Sequence, residues 1–433
     1  MPRGIPYIIS NELAERFSFY GMKGILVIFM TKHLMDSDGQ LAVMTDEEAT
    51  SYYHLFTMAV YFTPLLGGLL ADVVLGKFRT IILLSIVYIL GHGVLAIDDT
   101  RLGMSIGLAL IAVGAGGIKP CVSAHIGDQF GSKNSGLIPK VFSWFYFAIN
   151  LGAAISMLLT PWLLAEVGAW AAFGVPGVLM LAATIVFWMG RDVYVHIPPG
   201  GTAFLKETFS PEGIRAMLKL SIIYAFVLMF WALFDQTGST WVLQAEDMNR
   251  NFLGREWLPS QAQAINSIFI LMFIPLFNYW LYPLVGKFVK VTALRKIAVG
   301  LFLTVIPFLI SAWIEQRIVN GEEPSIAWQL IQYAIITAAE VMVSITALEF
   351  SYTQAPKKMK SWIMGLFFSS VALGNAFTAA VNFFIQNPDG TSKLEGPNYF
   401  LFFAGTMAAT ALLFLVVVYF YKEEHYLQDD AKA

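Results

Sequence analysis

The stretch NELAERFSFYGMKGILVIFM, residues 11–30, sets ionisable side chains inside an otherwise apolar run. A helix needs about 20 mostly apolar residues to cross a bilayer, and this stretch has that length. Glu12, Glu15, Arg16 and Lys23 interrupt it. A charged side chain at the centre of a membrane costs about 2.5–3.5 kcal/mol on insertion scales, so such groups turn towards one another or towards water. The stretch therefore predicts a membrane helix whose charged side faces a polar interior.

The composition of the whole chain supports a membrane location. Of its 433 residues, 57% are apolar and only 13% are charged, whereas soluble domains carry about 25% charged residues. The net charge of -3 argues against a nucleic-acid partner, and the single cysteine, Cys121, excludes a disulfide framework. Because Glu12, Glu15 and Arg16 lie in the first apolar run, we expect no cleavable signal peptide and a first helix that is retained.

Apolar runs of membrane-spanning length recur along the chain, separated by short polar breaks. Twelve are predicted, at 7–31, 50–72, 78–97, 103–125, 138–163, 168–189, 218–244, 260–286, 293–315, 325–350, 361–384 and 398–421. The longest polar interruption, 191–219, divides them six and six. The sequence thus predicts an all-α membrane protein with an N-terminal bundle at 1–190, a cytosolic linker at 191–217 and a C-terminal bundle at 218–433. The linker is too short for two further helices, and at most an amphipathic segment is expected near 201–219.

The distribution of Lys and Arg predicts the orientation in the membrane. Of the 27 basic residues, 18 fall in segments on the same side as the N-terminus, six on the opposite side and three within spans. Positive charge concentrates in cytoplasmic loops. Both termini are therefore expected in the cytoplasm.

Seven acidic or basic side chains fall well inside the predicted spans, away from their ends: Glu12, Glu15, Arg16, Lys23, Lys119, Asp235 and Glu340. A histidine, His54, accompanies them. On a helical wheel Glu12, Arg16 and Lys23 lie within about 40° of one another, which predicts one charged stripe facing a central cavity. Four acids face three bases, so one acid lacks a permanent cationic partner and is a candidate to hold a proton. The alternative is that these groups are buried ion pairs that lock helices together.

Residue patterns typical of enzymes and metal sites are missing from the sequence. His92 and His125 share no metal-ligand spacing with another His, Cys or carboxylate, and both are interpreted as structural. No metalloprotease motif, nucleophile elbow or Cys/His constellation is present. We expect neither enzymatic activity nor a cofactor.

The stretch GLLADVVLGKFRT, residues 68–80, spaces Gly68, Asp72 and Gly76 four residues apart and then adds Lys77 and Arg79. It resembles the loop signature of the major facilitator superfamily. That resemblance implies two six-helix bundles that rock around a central site.

Several further stretches resemble motifs of the proton-dependent oligopeptide transporter family, in particular of its mammalian-like bacterial members. Residues 12–17 match the family's ExxERF motif on the first helix. The match continues through GAGGIKPCVSAHIGDQF (114–130), FYFAINLGA (145–153), FWALFDQTGSTWVLQA (230–245), LYPLVGKF (281–288) and AEVMVSITALEFSYTQAPKKMKS (339–361). The resemblance covers nearly the whole chain.

The resemblance implies roles for individual residues. Proton coupling falls to Glu12, Glu15, Arg16, His54 and Asp235. Arg16, Tyr20, Tyr61, Lys119, Tyr146, Asn150, Asn266 and Glu340 are implied to bind substrate, with Glu340 receiving a peptide amino group and Arg16 a carboxylate. Lys23 and Asp235 match an ion pair that closes the outer gate.

The remaining assignments come from the residues themselves. A pocket that accepts any peptide side chain should be largely aromatic, which makes Trp231, Phe230 and Phe367 lining candidates. Glu349 lies about 180° around its helix from Glu340 and near the cytosolic end, so it is expected to brace the inner gate.

The function implied by the family is proton-coupled import of di- and tripeptides by alternating access. The expected partners are peptides, protons and the lipid bilayer of the plasma (bacterial inner) membrane, without an obligate protein partner. The alternative is a related carrier for another small polar solute such as nitrate, an amino acid or a drug. Phe367 stands where the family often has tryptophan, a departure that bears on peptide preference.

Overall fold

The structure is a computed structural model that describes residues 1–131, 134–201, 210–353, 360–387 and 391–421. Within these ranges the chain forms twelve long helices, α1 to α12. The first six are α1 (Ile5–Ile28, continued by a π-helical turn at Phe29–His33), α2 (Asp46–Leu69, continued by a π-helical turn at Leu70–Leu75), α3 (Lys77–Ile97), α4 (Arg101–Asp128), α5 (Ile138–Glu166) and α6 (Ala169–Met189).

The other six helices are more often interrupted. They are α7 (Pro211–Phe234, then a 3-10 turn at Asp235–Gly238 and a short helix Thr240–Glu246), α8 (a 3-10 turn at Pro259–Gln263, Ala264–Leu276, a π-helical turn at Phe277–Leu281 and Tyr282–Val285), α9 (Ala293–Val319), α10 (Ala327–Glu340, a π-helical turn at Val341–Ile345 and Thr346–Thr353), α11 (Lys360–Ile385) and α12 (Pro397–Phe420). A two-residue hairpin, β1 (Asn251–Phe252) and β2 (Arg255–Glu256), joins α7 to α8.

The helical membrane fold predicted from the sequence is confirmed. Among the described residues, eleven helices are long and apolar enough to cross a membrane. The remaining long helix is α1, whose Glu12, Glu15, Arg16 and Lys23 are mostly buried inside the protein and do not face lipid. Its packing against α5 and α6 explains how a charged helix is accommodated.

Each half of the chain has its own hydrophobic core. One cluster is built mainly from α1 to α6 and the other from α7 to α12. The halves meet along two seams, α2 against α11 and α5 against α8. This arrangement leaves α1, α4, α7 and α10 around the centre of the molecule, where the cavity lies.

The glycine-rich part of α4 lets neighbouring helices approach closely. A Cβ added to Gly67 of α2 would overlap the backbone of Gly117, and one at Gly114 would lie 2.7 Å from Tyr88 Cβ of α3. Small residues at such crossings are a common device of membrane helix packing.

The segment after α6 is bonded to the N-terminal half. Gln129, directly after α4, donates to the Val195 carbonyl and accepts from the Val195 N–H, and the Gly200 N–H donates to the Asp72 carbonyl. Tyr194 donates its hydroxyl hydrogen to the Phe187 carbonyl. The seventh helix begins at Pro211 and not at the predicted 218.

Part of the predicted linker, 202–209, lies outside the described residues, and so does the centre of the amphipathic segment expected near 201–219. The same holds for residues 354–359 of the 339–361 motif and for six lysines used to predict orientation: Lys133, Lys206, Lys357, Lys358, Lys422 and Lys432.

Candidate functional site

A cavity of about 320 Å³ lies between the two halves. It is walled by α1, α2, α4 and α5 on one side and by α7, α8, α10 and α11 on the other. All nine residues predicted to bind substrate line it: Arg16, Tyr20, Tyr61, Lys119, Tyr146, Asn150, Trp231, Asn266 and Glu340. They lie on seven helices, far apart in sequence, and converge on this one space.

The wall of the cavity from the N-terminal half carries positive charge. Lys119 of α4 makes no hydrogen bond, and its Nζ lies 3.7 Å from the Phe19 ring centroid and 4.8 Å from that of Tyr61. Arg16 donates from Nε to Glu12 Oε1 at 2.6 Å, and the same Nε lies 3.2 Å from Glu15 Oε2. Cation–π contact attracts the Lys119 ammonium without neutralising it, so this wall suits an anionic group.

The opposite wall carries an acid without a cation. Glu340 of α10 is partly exposed to the cavity and accepts a hydrogen bond from Asn266 Nδ2 at 2.9 Å. Asn266 is itself held by Thr337 Oγ1 at 3.0 Å. No Lys, Arg or His forms an ion pair with Glu340 in the described part of the chain. A carboxylate in this setting is suited to bind an ammonium group.

Two of the charges on α1 lie elsewhere than predicted. Arg16, Tyr20 and Lys23 line the cavity, but Glu12 and Glu15 are buried behind Arg16 in the N-terminal half. The prediction that Glu12 joins one stripe facing the cavity is therefore wrong. The guanidinium of Arg16 draws both carboxylates to itself, because a buried ion pair is cheaper than two separate buried charges.

A chain of buried hydrogen bonds closes one end of the cavity. Lys23 Nζ donates to Asp235 Oδ1 at 2.7 Å, and Asn375 Nδ2 donates to Asp235 Oδ2 at 2.8 Å. His54 Nδ1 lies 2.7 Å from Asn375 Oδ1, and its Nε2 lies 2.9 Å from Ser239 Oγ. These residues come from α1, α2, α7 and α11, so the chain, here called the gate network, ties the halves together.

The gate network fixes the tautomer of His54. Asn375 donates both to Asp235 and to the Val371 carbonyl, so its Oδ1 must be the acceptor facing His54. Neutral His54 therefore carries its hydrogen on Nδ1 and accepts from the Ser239 hydroxyl at Nε2. A second proton on His54 would force the Ser239 hydroxyl to turn away.

Removing one member of the buried pair tests whether the gate network stabilises this state. Lys23→Met leaves the buried Asp235 carboxylate without its cation, and we expect a loss of about 3–5 kcal/mol of stability. The melting temperature of the purified protein in detergent should fall. The double variant Lys23→Met/Asp235→Asn removes both charges and should recover most of the loss; an equal or larger fall in the double variant would argue against a stabilising pair.

The sequence predicts neither Asn375 nor Ser239 as a member of the site, and it places two aromatic residues wrongly. Asn375 and Ser239 carry no charge, so a search for ionisable groups in membrane spans passes over them. Phe230 and Phe367, predicted to line the pocket, are buried in the core of the C-terminal half, and Phe368 lines the cavity instead. Consecutive helical residues point about 100° apart, which explains the exchange of Phe367 for Phe368.

Glu349 lies near the end of α10 away from the gate network. Its side chain is exposed, and it forms no ion pair among the described residues. Its role in an inner gate stays a prediction.

The described residues also contain no group of three or more His, Cys, Asp or Glu side chains arranged to hold a metal ion.

Comparison with known proteins reveals extensive similarity. The model of the POT family, PTR2, matches residues 78–211 and 206–397. Solute carrier family 15 member 2 of Danio rerio is 37% identical over 80% of this chain and 54% of its own length, and that of Homo sapiens is 36% identical over 80% and 53%. Peptide transporter family 1 of Drosophila melanogaster is 39% identical over 73% and 48%. The chain spans about half the length of these curated relatives.

Solved structures match over almost the full chain. The crystal structure of an auto inhibited POT family peptide transporter superimposes with a TM-score of 0.89 at 34% identity, covering 99% of both chains. The in meso crystal structure of the POT family transporter PepTSo gives a TM-score of 0.89 at 35% identity, covering 98% of this chain and 100% of the other.

Proposed function

The chain belongs to the POT family, and from that premise we propose that it is a proton-coupled symporter that imports di- and tripeptides by alternating access. The observation that carries the proposal is the pairing of opposite charges across one cavity. Arg16 and Lys119 stand on one wall, and Glu340 stands on the other. A peptide without blocked ends has an ammonium and a carboxylate at its two ends, and removing both from water is favourable only with a partner for each.

The size of the cavity fits a short peptide. Its volume of about 320 Å³ lies in the range of small-molecule pockets. An extended chain covers about 3.3–3.6 Å per residue, so a peptide of two or three residues is roughly 7–11 Å long. Asn150, Asn266 and the three tyrosines Tyr20, Tyr61 and Tyr146 add hydrogen-bonding groups between them. Such few polar contacts leave room for different side chains.

The ion pairs of Arg16 with Glu12 and Glu15 suggest how proton binding is coupled to peptide binding. A peptide carboxylate that bonds to Arg16 competes with Glu12 and Glu15 for the same guanidinium. A buried carboxylate that loses its cation becomes costly and takes up a proton. Peptide and proton binding are thereby linked through Arg16, with Glu15 as the proposed proton carrier.

The gate network is the proposed outer gate. In this structure it is closed, so the rocking of α1–α6 against α7–α12 must break the Lys23–Asp235 pair to admit peptide from outside. Protonation of His54 or Asp235 would weaken the network. The proposed setting is the plasma (bacterial inner) membrane with both termini in the cytoplasm, and the driving force is the proton gradient, without a cofactor.

Uptake into liposomes tests the proposed function. Purified protein is reconstituted, an outside-acid pH gradient and an inside-negative voltage are imposed, and labelled dialanine is followed. Each charge moved is worth about 2.3 kcal/mol per 100 mV, so uptake should exceed equilibration at least tenfold and disappear when the gradients are collapsed. N-acetylated dialanine, which lacks the ammonium, is the ligand control and should accumulate poorly.

The same assay distinguishes the alternative function. A carrier for a small anion such as nitrate would need only the Arg16–Lys119 wall. Gradient-independent equilibration of dialanine, combined with uptake of an anion that competes for this wall, would contradict peptide symport.

A further inference from the structure

A second cavity, of about 280 Å³, lies at the end of the molecule where the gate network closes the central cavity. It is bounded by the starts of α2 and α12 and by the ends of α7, α9 and α11. No Lys, Arg or His is among the described residues that line it. Five carboxylic acids are, and we call it the acidic vestibule after them: Asp46, Glu47, Asp247, Glu315 and Glu395.

The gate network separates the acidic vestibule from the central cavity. Thr50 lines the vestibule and precedes His54 by one turn of α2. Asn382 also lines it and lies seven residues beyond Asn375, about 10 Å further along α11. In the proposed orientation the vestibule faces the outside, so a peptide that arrives from outside meets it before the gate network opens.

The carboxylates of the acidic vestibule are available to a ligand. None of the five forms an ion pair in the described part of the chain. Lys32 is already paired with Glu246, the neighbour of Asp247, and Lys393 Nζ donates to a backbone carbonyl. Carboxylates gathered in a cleft focus a negative potential that raises the local concentration of cations. The vestibule therefore favours a positively charged ligand.

A buried amide gives independent evidence for a ligand with hydrogen-bond donors. Gln244 is only 4% exposed, and it lines the vestibule. Its Nε2 donates to Glu315 Oε2 at 2.7 Å and to the Ser311 carbonyl at 3.0 Å, which leaves Oε1 as an acceptor without a partner among the described residues. Asn382 likewise donates twice from Nδ2, and its Oδ1 is left as a further acceptor. An unpaired buried acceptor is costly, and a donor bound in the vestibule would remove that cost.

We propose that the acidic vestibule binds the ammonium group of an incoming peptide and holds the peptide at the closed gate network before the two halves rock. An ammonium group combines a positive charge with three donors, which match the carboxylates and the free amide oxygens. A metal ion fits less well, because the described residues contain no group of three or more His, Cys, Asp or Glu side chains arranged to hold one. The inference rests on the proposed function. A peptide containing lysine carries a second ammonium and should gain most from this site.

Binding of pentalysine to the purified protein in a neutral detergent tests the site directly. Pentalysine carries many ammonium groups, and its extended length of roughly 17 Å is well beyond the two or three residues proposed for the central cavity. The vestibule variant Glu47→Gln/Asp247→Asn/Glu395→Gln removes three of the five charges. Titration calorimetry at low salt should give a Kd at least tenfold above that of the wild type, and the difference should shrink in about 0.5 M salt. Glu395→Gln alone changes only an exposed loop and should raise the Kd in the same direction.

The matched control is Asp38→Asn/Glu166→Gln/Glu323→Gln. It removes three exposed carboxylates at the same end of the molecule but outside the vestibule, and none of them forms an ion pair among the described residues. The change in net charge equals that of the vestibule variant, so the control separates binding in the vestibule from general attraction to the surface. Its Kd for pentalysine should stay within about twofold of the wild type.

Uptake into liposomes tests whether the site lies on the path of the peptide. For lysylalanine the vestibule variant should raise the KM about fivefold or more and leave kcat within about twofold of the wild type, because the site captures peptide and takes no part in the movement of the halves. The KM for dialanine, which has one ammonium, should rise less.

Equal pentalysine affinities of the wild type and the vestibule variant would overturn the inference, and so would an equal loss of affinity in the control. A lower pentalysine affinity with an unchanged KM for lysylalanine would place cation binding off the transport path and overturn the role in peptide capture. If the wild type did not accumulate dialanine, the proposed symport would fall. The pentalysine titration needs no transport and would still decide whether the vestibule binds ammonium groups, so the two failures are distinguishable.

Discussion

Glu15→Gln is expected to abolish gradient-driven accumulation of dialanine while leaving peptide exchange largely intact. Glutamine fills the same space beside Arg16 but carries no titratable proton. Uptake under an outside-acid gradient should fall by about 100-fold or more, to the level of liposomes without protein. Exchange of labelled for unlabelled peptide, measured with equal pH on both sides, should stay within a fewfold of the wild type, because Arg16 and Glu340 remain.

The control is Glu166→Gln at the end of α5, an exposed carboxylate remote from the cavity. It makes the same chemical change and should have no effect on either assay. Loss of both exchange and accumulation in Glu15→Gln would assign Glu15 a structural role in holding Arg16, and unchanged accumulation would remove it from proton coupling.

The second large effect is expected at Glu340. Glu340→Gln removes a cavity carboxylate that has no cationic partner among the described residues, whereas Asp235 is paired with Lys23; the hydrogen-bonding partner Asn266 remains. Truncating one partner of a buried charge pair costs about 2–5 kcal/mol, which corresponds to a rise in the Kd of about 30-fold or more. Titration calorimetry with dialanine on the purified protein measures this change.

N-acetylated dialanine makes this experiment specific. It has no ammonium, so the wild type should bind it weakly and Glu340→Gln should bind it about as well as the wild type does. If Glu340→Gln weakened both ligands equally, the effect would come from a distorted cavity, and Glu340 would not be the ammonium partner.

The twelve helices could be predicted from the sequence because each membrane helix is encoded by its own run of apolar residues. The apolar runs match the twelve helices to within a few residues at most ends, since an unpaired backbone cannot lie in lipid and each run must be helical throughout. The start of α7 is the largest difference, at Pro211 against a predicted 218. Arg215 and Lys219 lie in this first part of α7. Because charged residues interrupt an apolar run, a search for such runs does not detect the part of a helix that extends beyond the hydrocarbon region.

Part of the cavity lining could also be predicted from the sequence, but from individual charged residues and not from apolar runs. Arg16, Lys119 and Glu340 are conspicuous as charges in apolar helices, and the family resemblance placed Asn150 and Asn266 beside them. Asn375 could not be found that way, because an uncharged amide in a membrane helix has many possible structural partners. Its role in the gate network depends on the contact between α11 of one half and α2 of the other. A contact between helices so far apart in the chain cannot be deduced from a single sequence.

The bonds that fix the chain after α6 have a consequence for how far the halves can move. Gln129 and Asp72 fasten the backbone up to Gly200 to the first half, and the next helix starts at Pro211. Ten residues, 201–210, separate Gly200 from Pro211, and a chain of that length spans at most about 35 Å when fully extended. This length limits how far Pro211 can move away from Gly200 when the two halves rock against each other. Breaking both the Gln129–Val195 and the Gly200–Asp72 hydrogen bonds would lengthen this connection.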